Sequence, residues 1–204
     1  MLTLHSWFPT VIGVTQCPFI HEIQKKYKEY LNISDERPQE YQYYQLHKDE
    51  KFKRLYEWQQ EQVDTFTNAH NYKPMKACES WYIDYKSYTN NHWHNHLGWA
   101  ISTIFYLEAD PKDEPTRFRS PSYHSSNPLL LRTEKEGDTL NPIEINHAKH
   151  FNEFTYLTCN YKASSGRLLV FKSTVEHMTD NKIPHLGPRI IFSTNYNTIE
   201  GGHY

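Results

Sequence analysis

The sequence predicts an α+β fold in which two N-terminal helices lie against a β-sandwich or barrel, all within one domain spanning 1–204. Three observations predict it. Before Pro74, two segments carry apolar residues three and four apart, the rhythm of an amphipathic helix. After Pro74, the chain breaks into short β-branched and aromatic runs separated by turn residues. A length of 204 residues suits one sizeable core and is short for two.

Taken in order, the apolar stretch Trp7-Phe8-Pro9-Thr10-Val11-Ile12-Gly13-Val14 reads as an opening strand. Pro18 precedes a first helix marked by Ile20, Ile23, Tyr27 and Leu31. Asp35 to Tyr44 is polar, contains Pro38 and reads as a loop. A second helix is expected from Asp49 to Ala69, with Phe52, Leu55, Tyr56, Val63 and Phe66 on its apolar face. Strands are then expected at 77–85, 92–96, 100–107, 116–119, 154–160, 167–171 and 189–196. Pro111 to Pro142 holds five prolines and mixed charge, which suits a surface loop or a lid over a site.

Composition narrows the function classes. The net charge is -2, so no basic face argues for nucleic acid. Only 37% of residues are hydrophobic, but Phe, Trp and Tyr reach 15%, and large amphipathic rings can build a core without many aliphatics. No run of eighteen apolar residues suggests a membrane span. The N-terminus has no basic region followed by an apolar stretch, so no signal peptide is expected. Cys17, Cys78 and Cys159 are odd in number and lack CxxC spacing, which suits reduced thiols in a cytoplasmic protein. The glycosylation triplet Asn32-Ile33-Ser34 carries no weight without a secretory signal.

The chemistry concentrates in His92-Trp93-His94-Asn95-His96. Alternate side chains of a strand share a face, so two of these imidazoles can meet one metal ion. His177 can supply a third, and Arg189 follows twelve residues later. Two histidines and a carboxylate with open positions mark non-haem Fe(II) oxygenases; here His-x-His fills the slot of His-x-acid. Spacing alone leaves zinc an equal contender, and a solvated strand face also fits. The ligand pair reads equally as His92/His94 or His94/His96. Arg189 opens a strand, where its planar guanidinium can clamp a carboxylate through two hydrogen bonds or make a structural ion pair. Trp81, Trp93 and Trp99 are candidates for an apolar pocket, or for ordinary core packing.

Read as an ordered set, several motifs resemble the 2-oxoglutarate- and Fe(II)-dependent oxygenases, in particular a branch common in phages and marine bacteria. They are Trp7-Phe8-Pro9-Thr10-Val11, Glu79-Ser80-Trp81-Tyr82, Trp93-His94-Asn95-His96-Leu97-Gly98, Ser102-Thr103-Ile104-Phe105-Tyr106-Leu107, Gly166-Arg167-Leu168-Leu169-Val170-Phe171, His177, and Arg189-Ile190-Ile191-Phe192-Ser193-Thr194-Asn195. The resemblance implies a double-stranded β-helix (a jelly-roll, cupin-like core) with the N-terminal helices packed on one sheet.

It also implies a site. Fe(II) would be held by His94, His96 and His177, and Arg189 would bind the distal carboxylate of 2-oxoglutarate. Tyr106 and Asn195 would contact that cosubstrate. The implied reaction uses dioxygen to hydroxylate an unidentified substrate, with ascorbate a helpful addition in vitro. The implied setting is the cytoplasm of a bacterial or phage-infected cell, with no membrane partner and a homodimer left open. Two rival readings stand beside it: a three-histidine cupin-type dioxygenase that needs no 2-oxoglutarate, and a non-catalytic metal-binding β-scaffold.

Overall fold

A computed structural model describes residues 10–31, 42–43, 45–85, 91–121, 158–179 and 189–199. Several expectations fall outside the described residues: the start of the opening strand, the triplet at 32–34, most of the loops at 35–44 and 111–142, and the start of the 154–160 strand.

The elements run β1 (Ile12–Gln16), α1 (Ile20–Leu31), β2 (Gln42–Tyr43), α2 (Lys53–Ala69), β3 (Met75–Tyr85), β4 (Asn91–His94), β5 (Ile101–Glu108), β6 (Thr116–Arg119), β7 (Thr158–Tyr161), β8 (Arg167–Lys172), β9 (His177–Thr179) and β10 (Arg189–Thr198). The major sheet has the order β1-β8-β5-β10-β3-β2, and the minor sheet β4-β9-β6-β7. Every strand pair is antiparallel. From β3 to β10 the chain passes between the two sheets at every connection except β6 to β7. That alternation wraps the strands into the double-stranded β-helix of a jelly roll. Among the described residues the fold is mostly antiparallel β with two α-helices.

The period of two sorts the residues of the major sheet into faces. On β10, Ile190 and Phe192 join one apolar cluster while Ile191 joins another. The outer cluster takes Tyr82, Phe105, Leu168, Val170 and Phe192 from the sheet, Ile23 and Tyr27 from α1, and Leu55, Val63 and Phe66 from α2. Edge-to-face ring pairs tie it together, Tyr27 with Tyr82 at 5.8 Å and Phe52 with Phe192 at 5.3 Å. The inner cluster joins Ile83, Ile104, Tyr106, Leu169, Phe171 and Ile191 to Phe118 of the minor sheet.

Local signals explain the helix ends. The Asp49 side chain accepts from the Lys51 amide at 2.9 Å and starts a 3-10 turn, Glu50–Phe52, that leads into α2. Buried Leu55, Tyr56, Gln59, Val63 and Phe66 form its stripe. The helix stops where Asn71 adopts a left-handed φ of 55°, a conformation asparagine tolerates. Among the described residues, no helix is long and apolar enough to cross a membrane.

Three strands differ from expectation. The first is β2, which pairs with β3 inside the segment 35–44 that reads as a loop. The run expected at 92–96 stays a strand only to His94, because the backbone then turns so that the His96 amide donates to the Ser173 carbonyl at 2.9 Å. The three-residue strand β9 was not expected at all. His177-Met178-Thr179 is too short to show a period, and it is a strand because β4 and β6 hydrogen-bond it from either side.

Candidate metal and cosubstrate site

The inner face of the major sheet is a set of cross-strand rungs. Asn195 on β10 lies opposite Glu79 on β3 and Ser102 on β5. The next rung is Trp81, Ser193 and Ile104, and the next is Ile83, Ile191 and Tyr106. Tyr85 and Arg189 form the last. Polar groups at one end and a guanidinium at the other thus flank an apolar middle.

The minor sheet carries the histidines. His94 at the end of β4 lies directly opposite His177 on β9. His96, just beyond the strand, swings toward the same point. One ligand-capable atom from each of His94, His96 and His177 lies within 4.8 Å of the other two. Two nitrogens each bonded to one ion at about 2.1 Å can be at most about 4.2 Å apart, so small ring movements suffice to share an ion. His92 is exposed and is not in the group. The cluster is therefore His94/His96 with His177. No carboxylate belongs to it among the described residues.

The second nitrogen of each ring supports this reading. His94 Nδ1 lies 2.7 Å from the His92 carbonyl oxygen, and His177 Nδ1 lies 3.2 Å from that of Val175. A carbonyl only accepts, so each Nδ1 bears a proton, and Nε2 is the nitrogen left to face a metal. His96 Nδ1 lies 2.8 Å from the Asn195 side-chain oxygen. This is how metal-binding imidazoles are usually oriented. Burial holds His96 below the ordinary imidazole range, an effect opposed by the Asn195 hydrogen bond. His177, 4% exposed between Phe118 and Phe171, is held well below it by burial and by the neighbouring imidazoles. Neutral rings are the metal-binding form.

A cavity of about 270 Å³ opens beside the cluster, lined by Trp81, Ile83, Tyr85, His94, Ile104 and His177, together with Met178, Thr179, Ile191 and Ser193. Arg189 lies at its Tyr85–Thr179 end. Its guanidinium carbon is 5.2 Å from the Tyr85 ring centre and 5.7 Å from that of Tyr106, and Nη2 is 3.5 Å from Thr179 Oγ1. Nη1 donates to the Glu114 carbonyl. Arg189 is 0% exposed, its Nε is unpartnered, and no carboxylate pairs with it among the described residues. The Tyr106 hydroxyl meets Thr116, and burial pushes its pKa up.

Other expectations separate. Asn195 stands at the histidine end, away from Arg189, with both ends of its side chain engaged. Its oxygen serves His96 and Ser102, and its Nδ2 donates to Glu79 at 2.9 Å. Of the three tryptophans only Trp81 lines the cavity; Trp93 lies under Arg119, whose guanidinium carbon is 4.0 Å from the ring centre. Sequence reasoning gave no role to Glu79, Ser102 or Thr179. Ser102 did leave a signal, as a small polar residue in register with the inward Ile104 and Tyr106.

Residues 79–195, more than half of the chain, match the family model described as "Putative 2OG-Fe(II) oxygenase". No curated protein matches the chain. Among solved structures, HygX from Streptomyces hygroscopicus with nickel and 2-oxoglutarate bound superposes with a TM-score of 0.64 at 13% identity, covering 96% of this chain and 86% of HygX. AviO1 from Streptomyces viridochromogenes gives 0.63 at 12%, covering 95% and 92%. A Pseudomonas putida prolyl-4-hydroxylase gives 0.59 at 11%, covering 93% of each. These likenesses carry the fold, and the family match carries the kinship. The chain belongs to the 2OG-Fe(II) oxygenase family, which makes it a 2-oxoglutarate-dependent oxidoreductase.

Proposed function

We infer that this chain, as one domain, hydroxylates a substrate C–H bond at an iron held by His94, His96 and His177, with 2-oxoglutarate anchored by Arg189. The observation that carries the reading is the pairing of the imidazole cluster with a wholly buried guanidinium that has no counter-anion among the described residues. An uncompensated buried cation is costly. A dicarboxylate spanning the cavity would neutralise Arg189 with one end and reach the histidine cluster with the other. HygX, of the same fold, binds nickel and 2-oxoglutarate.

Iron bound there supplies the oxidising power, so that dioxygen and 2-oxoglutarate yield succinate and carbon dioxide while one oxygen atom enters the substrate. The protein's own residues orient and shield. The carbonyls of His92 and Val175 hold two rings by Nδ1, which turns Nε2 toward the metal position. Tyr106, bound to Thr116 beneath the guanidinium, holds Arg189 in place. Trp81, Ile83, Ile104 and Ile191 line the middle of the cavity and limit water there.

The test is an aerobic assay for succinate with Fe(II), ascorbate and 2-oxoglutarate, with and without candidate substrates. Iron-dependent succinate supports the reading. Stoichiometric iron binding with no succinate and no oxygen uptake favours a metal-binding scaffold instead.

A further inference from the structure

Three half-buried or buried groups beside His96 can each reverse a hydrogen bond. Ser102 Oγ lies 2.8 Å from Asn195 Oδ1, 2.7 Å from Ser173 Oγ and 3.1 Å from His96 Nδ1. Hydroxyls donate or accept as their surroundings require, a neutral imidazole donates from either nitrogen, and an amide can turn end for end. Such a ring of adaptable groups has no inherent direction. An ionised carboxylate, by contrast, only accepts. Among the described residues hydrogen-bonded around Asn195, Glu79 is the carboxylate, and it takes a hydrogen bond from Asn195 Nδ2 at 2.9 Å.

We propose that Glu79 is a positioning residue that sets the tautomer of His96 through Asn195. With Nδ2 committed to the carboxylate, Oδ1 must face His96 and Ser102. The reversed amide would set Oδ1 against a carboxylate oxygen and Nδ2 against the imidazole. An oxygen facing His96 Nδ1 at 2.8 Å holds the proton there and leaves Nε2 bare toward His94 and His177. The strand register builds this relay, since Glu79, Asn195 and Ser102 form one rung across three adjacent strands. Glu79 also places a negative charge one residue behind a ligand set that has none of its own. His94 and His177 need no such device, because backbone carbonyls orient them. The consequence for metal binding rests on the three-imidazole reading above; the tautomer itself does not.

The test uses the full chain, metal-free and labelled with 15N-histidine, at a pH above the imidazole range. Long-range 1H–15N spectra report which ring nitrogen bears the proton, and a Co(II) titration reports affinity. The wild type is expected to show His96 protonated on Nδ1. Glu79→Ala is expected to give a mixture or the Nε2-protonated form and to weaken Co(II) binding by about 10- to 100-fold. Asp at 195 is an acceptor that needs no orienting, so Glu79→Ala with Asn195→Asp should restore the Nδ1 form and most of the affinity. A wild-type His96 protonated on Nε2 overturns the proposal without any variant, even if Glu79→Ala fails to fold. So does an unchanged tautomer in Glu79→Ala, or a double variant that restores nothing. A wild type with the expected tautomer that takes up no Co(II) overturns the metal reading and leaves the Glu79 relay supported.

Discussion

His94 and His177 sit directly opposite one another in the antiparallel pair of β4 and β9, with ring centres 4.2 Å apart. A non-local strand pairing thus brings together two imidazoles that the sequence separates widely. His96 joins them only because the chain turns after His94, and its ring centre lies 5.1 Å from that of His177.

Because His177 is the most buried member of the cluster, its removal should be the most damaging. His177→Ala is expected to abolish stoichiometric Fe(II) binding in equilibrium dialysis. Succinate formation should fall by more than the roughly 10- to 100-fold that loss of an outer partner costs. Wild-type succinate release from this variant would remove His177 from the site.

Arg189 should separate stability from cosubstrate binding. Arg189→Met removes a buried charge while filling much of its volume, so the unliganded protein should melt at the same temperature or higher. Its affinity for 2-oxoglutarate should fall by at least about 30-fold, the equivalent of roughly 2 kcal/mol for a buried charged contact. An unchanged apparent affinity would assign Arg189 a purely structural role.

The cluster should make the metal-free protein acid-sensitive. In the unfolded chain histidines take up protons near pH 6.5, whereas folded His177 and His96 are held lower, chiefly by burial. Below about 6.5 the unfolded state therefore binds more protons, and stability rises with pH there. The contribution is fully present above the unfolded value and is lost as pH falls toward the folded ones. Melting temperature should be flat above neutrality and drop on acidification, with a shallower drop in His177→Leu. Equal slopes in the two proteins would contradict this account.

Gly166 tests the junction between the helical side and the sheet. Its φ is +85°, and an added Cβ would lie 2.5 Å from Gln16 Nε2 and 3.2 Å from Ile20 Cβ. Its amide donates to the Tyr106 carbonyl and its carbonyl accepts from the Cys17 amide, both at 2.7 Å. Gly166→Ala is expected to cost about 1–3 kcal/mol, read by denaturant unfolding. A loss well under 1 kcal/mol would show that the loop relaxes freely.

Much of the scaffold was legible from periodicity. The helical stripes at Ile20, Ile23, Tyr27 and at Leu55, Tyr56, Val63 mark surfaces that must be buried on one side, and the alternation along Arg189–Asn195 assigns residues to two faces. The strand β9 was hidden, because three residues carry no pattern and its strand state depends on the neighbours β4 and β6. The end of β4 was also misplaced. His92, His94 and His96 alternate perfectly in sequence, yet the strand stops at His94, and local spacing cannot register a backbone bond to distant Ser173.

For the site, the sequence by itself determined the inventory: alternating imidazoles, a distant fourth, and an arginine opening a strand. Those residue types suit a divalent metal and a carboxylate whatever the fold, because softness, charge and hydrogen-bonding capacity belong to the side chains. Only the tertiary structure decided that His92 is exposed while His94, His96 and His177 converge, that Arg189 is buried with no counter-anion among the described residues, and that Asn195 bonds both His96 and Glu79. Each of these depends on strand register between segments far apart in the chain, and register is set by how the whole inner face packs rather than by any local run of residues.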